Sequence, residues 1–168
     1  MTASTPILET DPATPALRAA SAEDLPAVER LLAGADLPVD GVAEIFATRA
    51  SDFVVAEDPE HPGMLVAAAG LEICGDNALL RSVAVRRDWQ SRGLGHELVR
   101  RIVCVAEARD VGALYLLTTT AEHYFPRFGF TKIDRDAVPQ EIRDTLEFRS
   151  ACPESAVVMT RPLHTRPG

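Results

Sequence analysis

Hydrophobic positions along this chain switch repeatedly between helical spacing and continuous apolar runs. Leu25, Val28, Leu31 and Leu32 recur at helical intervals, which predicts an apolar stripe on one helix. SAED (21–24) precedes it in the form of a capping box, with Ser21 at the N-cap and Asp24 three residues on. Gly34 is placed to end that helix. A second short helix is expected over 38–50, with Val42, Ile45 and Phe46 apolar. DFVVAE (52–57), MLVAAAGLEI (64–73) and ALLRSVAV (78–85) read as strands. PEHPG (59–63) and GDN (75–77) between them carry turn chemistry.

Helical spacing returns at Leu94, Leu98, Ile102 and Val105, and Gly112 is the expected C′ residue. PALRAA (15–20), ALYLLTTT (113–120), FTKID (130–134) and SAVVMT (155–160) complete the strands. AEHYFPRFG (121–129) and VPQEIRDTL (138–146) are expected as short helices, each tolerating its proline only near the first turn. Hairpins join the middle strands and a strand–helix–strand crossover follows, so at least one pair should be parallel. The pattern is α/β, a mixed sheet with helices on both faces. One domain is expected over 15–163, between a disordered tail at 1–14 and a short tail at 164–168.

Composition narrows the function. A chain of 168 residues, 46% hydrophobic and 25% charged, has the make-up of an ordinary globular domain. A net charge of −8 disfavours nucleic acid and anionic membrane surfaces as partners. The first residues lack a basic segment and an apolar core, and no run reaches the ~20 apolar residues of a membrane span. A cytoplasmic protein is expected. Cys74, Cys104 and Cys152 are too scattered for a disulfide framework or a zinc site, and no metal is expected.

QSRGLG (90–95) joins an apolar strand to a helix. Such a turn is either a plain strand-to-helix connection or an anion cradle built on unpaired N–H groups and the helix dipole. A dinucleotide fingerprint would need glycine where Leu98 stands, so it fails. A P-loop would need a lysine, and the sole lysine, Lys132, lies elsewhere.

Gln90, Gly93 and Gly95 remain, spaced Q-x-x-G-x-G. LLRSVAVRRDWQSRGLGHELV resembles motif A of the GNAT acetyltransferases, and ALYLLTTTAEHYFPRFGF is similar to that family's next strand and helix ending in G-F. The resemblance spans about residues 15 to 162. It implies a mixed, mostly antiparallel sheet of six to seven strands and acetyl-CoA as cosubstrate. Main-chain groups around Val83, Ala84 and Val85 would bind pantetheine. The N–H groups of Gln90, Ser91, Arg92, Gly93, Leu94 and Gly95 would hold the pyrophosphate, with His96, Thr118 and Phe125 also on the cofactor side. Arg86, Arg87, Arg92, Arg100 and Arg101 against Asp88 and Glu97 make a basic patch suited to a polyanion, or a solvated helix face.

Acetyl transfer to an amine needs a proton acceptor, an oxyanion donor and a proton for the leaving thiolate. Glu72 interrupts an apolar strand whose neighbours Leu71 and Ile73 face the other way. It reads as the base or as a strand-edge glutamate facing water. The family's tyrosine falls at Phe125, with Tyr124 one residue earlier, so the acid is Tyr124 or water. The family's helix-start Asn falls at Thr118.

Arg81 and Ser82 precede the pantetheine segment, and EFRSACPESA (147–156) supplies Arg149 and Ser150 on the acceptor side. An arginine there suits a carboxylate held bidentately. The combination resembles a GNAT subgroup of arsenic-resistance N-acetyltransferases, which implies a small amino-acid-like substrate, including toxins such as arsinothricin and phosphinothricin. Cys152 is an arsenic ligand or a small buried hydrophobe. The alternatives are a protein or peptide N-acetyltransferase and a non-catalytic acyl-CoA-binding module. GNAT relatives also suggest a homodimer.

Overall fold

A computed structural model describes residues 15–151 and 155–163, so the tails expected at 1–14 and 164–168 lie outside the described residues. The chain runs β1 (Leu17–Ala19), α1 (Leu25–Gly34), α2 (Val42–Arg49), β2 (Phe53–Asp58), β3 (His61–Cys74) and β4 (Asn77–Val85). It continues with α3 (Leu94–Ala108), β5 (Ala113–Thr118), β6 (Thr131–Ile133), α4 (Gln140–Arg143) and β7 (Val157–Pro162). The strands form one seven-stranded sheet in the order β1-β2-β3-β4-β5-β7-β6. Every pair is antiparallel except β4–β5, the crossover pair.

β3 reads as a continuous apolar run because both of its faces are covered. Ala67, Ala69 and Leu71 pack with Leu94, Leu98, Ile102 and Ala106 of α3. Phe53, Val55, Leu65 and Ala68 pack with Val28 and Leu32 of α1 and Val42, Ile45 and Phe46 of α2. Leu98 and Ile102 are fully buried, each contributing about 1.5–3 kcal/mol by its removal from water. A third cluster, Leu79, Val138, Ile142 and Val158, seats α4 against β4 and β7.

Four local expectations are corrected. PEHPG is not all turn: Asp58 already pairs with His61. The Asp58 carboxylate accepts the Glu60 N–H at 2.9 Å, so a side chain closes a shorter turn. The left-handed residue after α3 is Asp110 (φ 59°) rather than Gly112, and aspartate tolerates that region. The 121–129 helix contracts to a 3₁₀ turn at Phe125–Phe128 with Pro126 in its first turn. The 138–146 helix stops at Arg143. There the Thr145 hydroxyl donates to the Ile142 carbonyl at 2.8 Å and accepts the Phe148 N–H at 3.2 Å, competing with helix bonds. A π-turn, Glu147–Ala151, follows.

The feature that positions the site is a split in the sheet. β4 and β5 pair only over Asn77–Leu79 with Ala113–Tyr115. β4 carries one residue more than β3 between the Ala68–Ala84 and Gly70–Arg81 pairs, and Ser82 there has φ 61°. This bulge bends β4 away from β5.

Candidate active site

The split opens into a cleft of about 830 Å³. Its walls include Ser82, Val83 and Val85 from β4, Leu116–Thr118 from β5, Gln90–Ser91 and Gly93–His96 at the start of α3, and Asp36–Pro38. The Arg86 N–H donates to the Val66 carbonyl at 2.7 Å. Alternation therefore turns the main-chain groups of Val85 away from β3 and into the split. Here Gln90 Nε2 donates to the Val85 carbonyl at 2.9 Å.

The 90–95 turn is a nest. Ser91 (φ 67°) and Gly93 (φ 82°) are both left-handed, and α3 begins at Leu94. A left-handed residue followed by a right-handed one, as at Gly93 and Leu94, turns successive N–H groups into a concavity that suits an anion, at the positive end of the helix dipole. A β-carbon on Gly93 would meet nothing within 4 Å, so the space beside the nest is open. Buried Trp89 anchors the turn, and the Arg92 guanidinium lies 4.5 Å from its ring centroid. Arg92 is thus stacked and Ala84 points into the core, so neither lines the cleft. Within the basic patch, Arg86 is already paired with Asp58 at 3.0 Å and Asp88 at 2.7 Å.

Tyr124 reaches the cleft although Phe125 occupies the family's position. A β-carbon on Gly95 would lie 3.5 Å from Tyr124 Oη, so the hydroxyl sits over the start of α3. Burial raises its pKa above the ordinary phenol value, which keeps it protonated and able to donate at neutral pH. Phe125 packs with Phe128 and Phe130 in the core. The Thr118 hydroxyl accepts the Ala121 N–H at 2.9 Å and shapes the loop that carries Tyr124.

At the other end stands a buried charge cluster. The Arg81 side chain has no solvent exposure. Its Nε donates to Ser82 Oγ at 3.1 Å, Nη1 to Glu72 at 2.9 Å and Nη2 to the Asp40 carbonyl at 2.6 Å. Glu147 completes the set 3.3 Å from Nη2. Gly41, with φ 86°, admits this arginine, since a β-carbon there would stand 3.0 Å from Nη1. Glu147 is buried and lines the cleft, whereas Glu72 does not line it. Burial pushes the Glu147 carboxyl up to about 7, with Glu72 and Asp40 adding to the rise and Arg81 opposing it.

The sequence-predicted residues thus divide. The cleft brings together Arg81, Ser82, Val83, Val85, Gln90, Ser91, Gly93, Leu94, Gly95, His96, Thr118, Tyr124 and Phe125. Arg149 is exposed on the π-turn, and the Ser150 side chain and Cys152 lie outside the described residues. The sequence reading missed Glu147, Asp40 and Gly41. The only signal for Glu147 was an acidic residue opening EFRSACPESA, indistinguishable there from a solvated glutamate.

Residues 49–132 match the acetyltransferase (GNAT) domain family. The amino-acid acetyltransferase of Mycobacterium tuberculosis is 31% identical over 136 residues, covering 79% of this chain and 77% of that protein. An uncharacterised N-acetyltransferase of Chlorobaculum tepidum is 28% identical over 86% of this chain and 95% of its own length. The structure of N-acetylglutamate synthase from Neisseria gonorrhoeae, complexed with coenzyme A and N-acetyl-glutamate, has the same fold, with a TM-score of 0.73 at 23% identity. That match covers 91% of this chain and 36% of the synthase.

Proposed function

The chain belongs to the GNAT acetyltransferase family, and on that footing we propose that it acetylates the α-amine of a small amino acid or amino-acid analogue. It is an N-acetyltransferase with acetyl-CoA as cosubstrate. The observation that carries the substrate class is the charge at the acceptor end. Arg81 is matched by Glu72 and Glu147 together, which leaves one carboxylate in excess with Glu147 facing the cleft. Such a wall favours an ammonium. The M. tuberculosis relative, an amino-acid acetyltransferase, supports the same class.

In this reading the nest at 90–95 holds the pyrophosphate and the free edge of β4 takes the pantetheine amides. Gln90 must release the Val85 carbonyl for that edge to pair. The thioester carbonyl then comes to lie at the bulge, where a main-chain N–H near Val83 faces the developing oxyanion. The proton of the ammonium goes to a carboxylate of the Glu72–Arg81–Glu147 cluster, and Tyr124 donates to the leaving thiolate. Arg149, with Ser150, is the proposed holder of a substrate oxyanion such as a carboxylate, phosphinate or arsenic oxyanion. The proposal places catalysis in a single domain over 15–163 and includes homodimer formation.

The test is thiol release from acetyl-CoA with a panel of amino acids, arsinothricin, phosphinothricin and short peptides. Turnover on free amino acids or the toxins and not on peptides is expected. Turnover on peptides alone would move the assignment to a peptide N-acetyltransferase. Tight CoA binding with no turnover on any amine would leave a binding module.

A further inference from the structure

We infer that Glu147, rather than Glu72, is the catalytic residue that receives the substrate ammonium and takes its proton, with Arg81 and Glu72 as the residues that position it. The inference deepens the proposed function and rests on it. Three observations converge. Glu147 shares the cleft wall with Ser82 and Val83 at the bulge, whereas Glu72 does not line the cleft and is held by Arg81 at 2.9 Å. Glu147 is 4% exposed, so little water competes for its carboxylate. The Arg81 guanidinium is held by Ser82, Glu72 and the Asp40 carbonyl. So held, it pairs with the Glu147 carboxylate at 3.3 Å and fixes its position.

The charged groups that act on Glu147 are Arg81 of β4, Glu72 of β3 and Asp40 of the segment before α2. Asp36 lies in the same cleft. Burial above all, with Glu72 and Asp40, holds the Glu147 proton affinity up, and Arg81 holds it down. The balance near neutrality suits a base that must accept a proton and give it up to solvent.

The ammonium gives one proton to a Glu147 carboxylate oxygen, and the freed lone pair forms the C–N bond at the thioester carbonyl carbon. The C–S bond breaks and the thiolate leaves with its electron pair. A second proton leaves nitrogen for solvent as the amide forms, sulfur takes one from the Tyr124 hydroxyl, and Tyr124 recovers its proton from solvent. Glu147 then releases its proton to solvent.

The test compares wild type, Glu147→Gln, Glu147→Asp and Glu72→Gln on the best amine of the panel, with acetyl-CoA affinity measured separately by calorimetry. Wild-type kcat/KM for the amine should fall at acid pH through a single ionisation. Glu147→Gln should lose about 10²-fold or more in kcat while its acetyl-CoA affinity stays within about threefold. It should also lose that ionisation, with kcat/KM rising steadily with pH as free amine accumulates. Glu147→Asp should keep the ionisation at a displaced pH, and Glu72→Gln should keep it with reduced kcat. If Glu147→Gln binds acetyl-CoA normally and retains the ionisation with kcat within about threefold of wild type, the inference is wrong. If Glu72→Gln alone abolishes the ionisation, the base is Glu72. No turnover by wild type on any amine would overturn both this inference and the proposed function, whereas normal wild-type turnover with an unchanged Glu147→Gln profile would overturn the inference alone.

Discussion

Replacing Glu147 with Gln should make the protein more stable at neutral and alkaline pH, and the gain should vanish in acid. In the folded chain the Glu147 carboxyl titrates near 7, against 4.5 for a free glutamate. An acid whose pKa is raised by folding is held protonated more firmly in the native state, so between those values the native state binds more protons than the unfolded one. Stability is then full below about pH 4.5, falls as pH rises through 7, and levels off beyond. The separation is worth about 3 kcal/mol, of which roughly 2.5 kcal/mol accrues between pH 5 and 8. Gln imitates the protonated acid, and its amide oxygen can still accept from Arg81, which keeps Glu72 as counter-ion. Urea unfolding at pH 5 and pH 8 measures the difference directly, provided that the m-value is unchanged. The variant's advantage should grow by about 2–3 kcal/mol across that interval, or about 5–10 °C in Tm for a chain of this size. An advantage that is flat with pH, or that shrinks as pH rises, would refute the burial argument for Glu147.

Arg81→Met strands two carboxylates around a vacated centre, so it should cost about 3–5 kcal/mol of stability. An unchanged melting point with only a raised amine KM would instead mark Arg81 as a substrate-holding residue. Gly93→Val forces a β-branched residue to φ 82° in open space, a local strain of about 1–3 kcal/mol. The protein should stay folded and lose CoA binding by equilibrium dialysis, and retained binding would displace the pyrophosphate from the nest. Tyr124→Phe removes the hydroxyl over Gly95 and should lower kcat about 10²-fold with little change in either KM. A kcat within about twofold of wild type would assign thiolate protonation to water.

Much of the fold was legible because it follows from local periodicity. The stripes at Leu25–Leu32 and Leu94–Val105, the apolar runs at 52–57 and 64–73 and the crossover after β4 dictate two helical layers on a mixed sheet. Boundaries slipped where side chains compete with the main chain. Thr145 ends a helix early, Asp58 shortens a turn, and Asp110 takes the left-handed position expected of glycine. The 90–95 nest was readable as well, since its glycines and its place between strand and helix are local facts.

The charged end of the cleft was not local. Glu72 showed itself as a polar break in an apolar strand, but whether it faces the cleft depends on Arg81 of the neighbouring strand. Tyr124 looked misplaced by helical geometry, and a 3₁₀ turn starting after it carries its hydroxyl to Gly95 instead. Arg81 read as a free anion-binding fork until folding surrounded it with acceptors from three other segments. Sequence by itself determined the elements, their layers and the glycine-bearing turn at 90–95, because those depend on spacing along one chain segment. Only the tertiary structure decided which carboxylate is buried beside the cleft, because desolvation and charge pairing depend on what the sheet brings together: Glu147, Arg81, Glu72 and the Asp40 carbonyl around a single guanidinium.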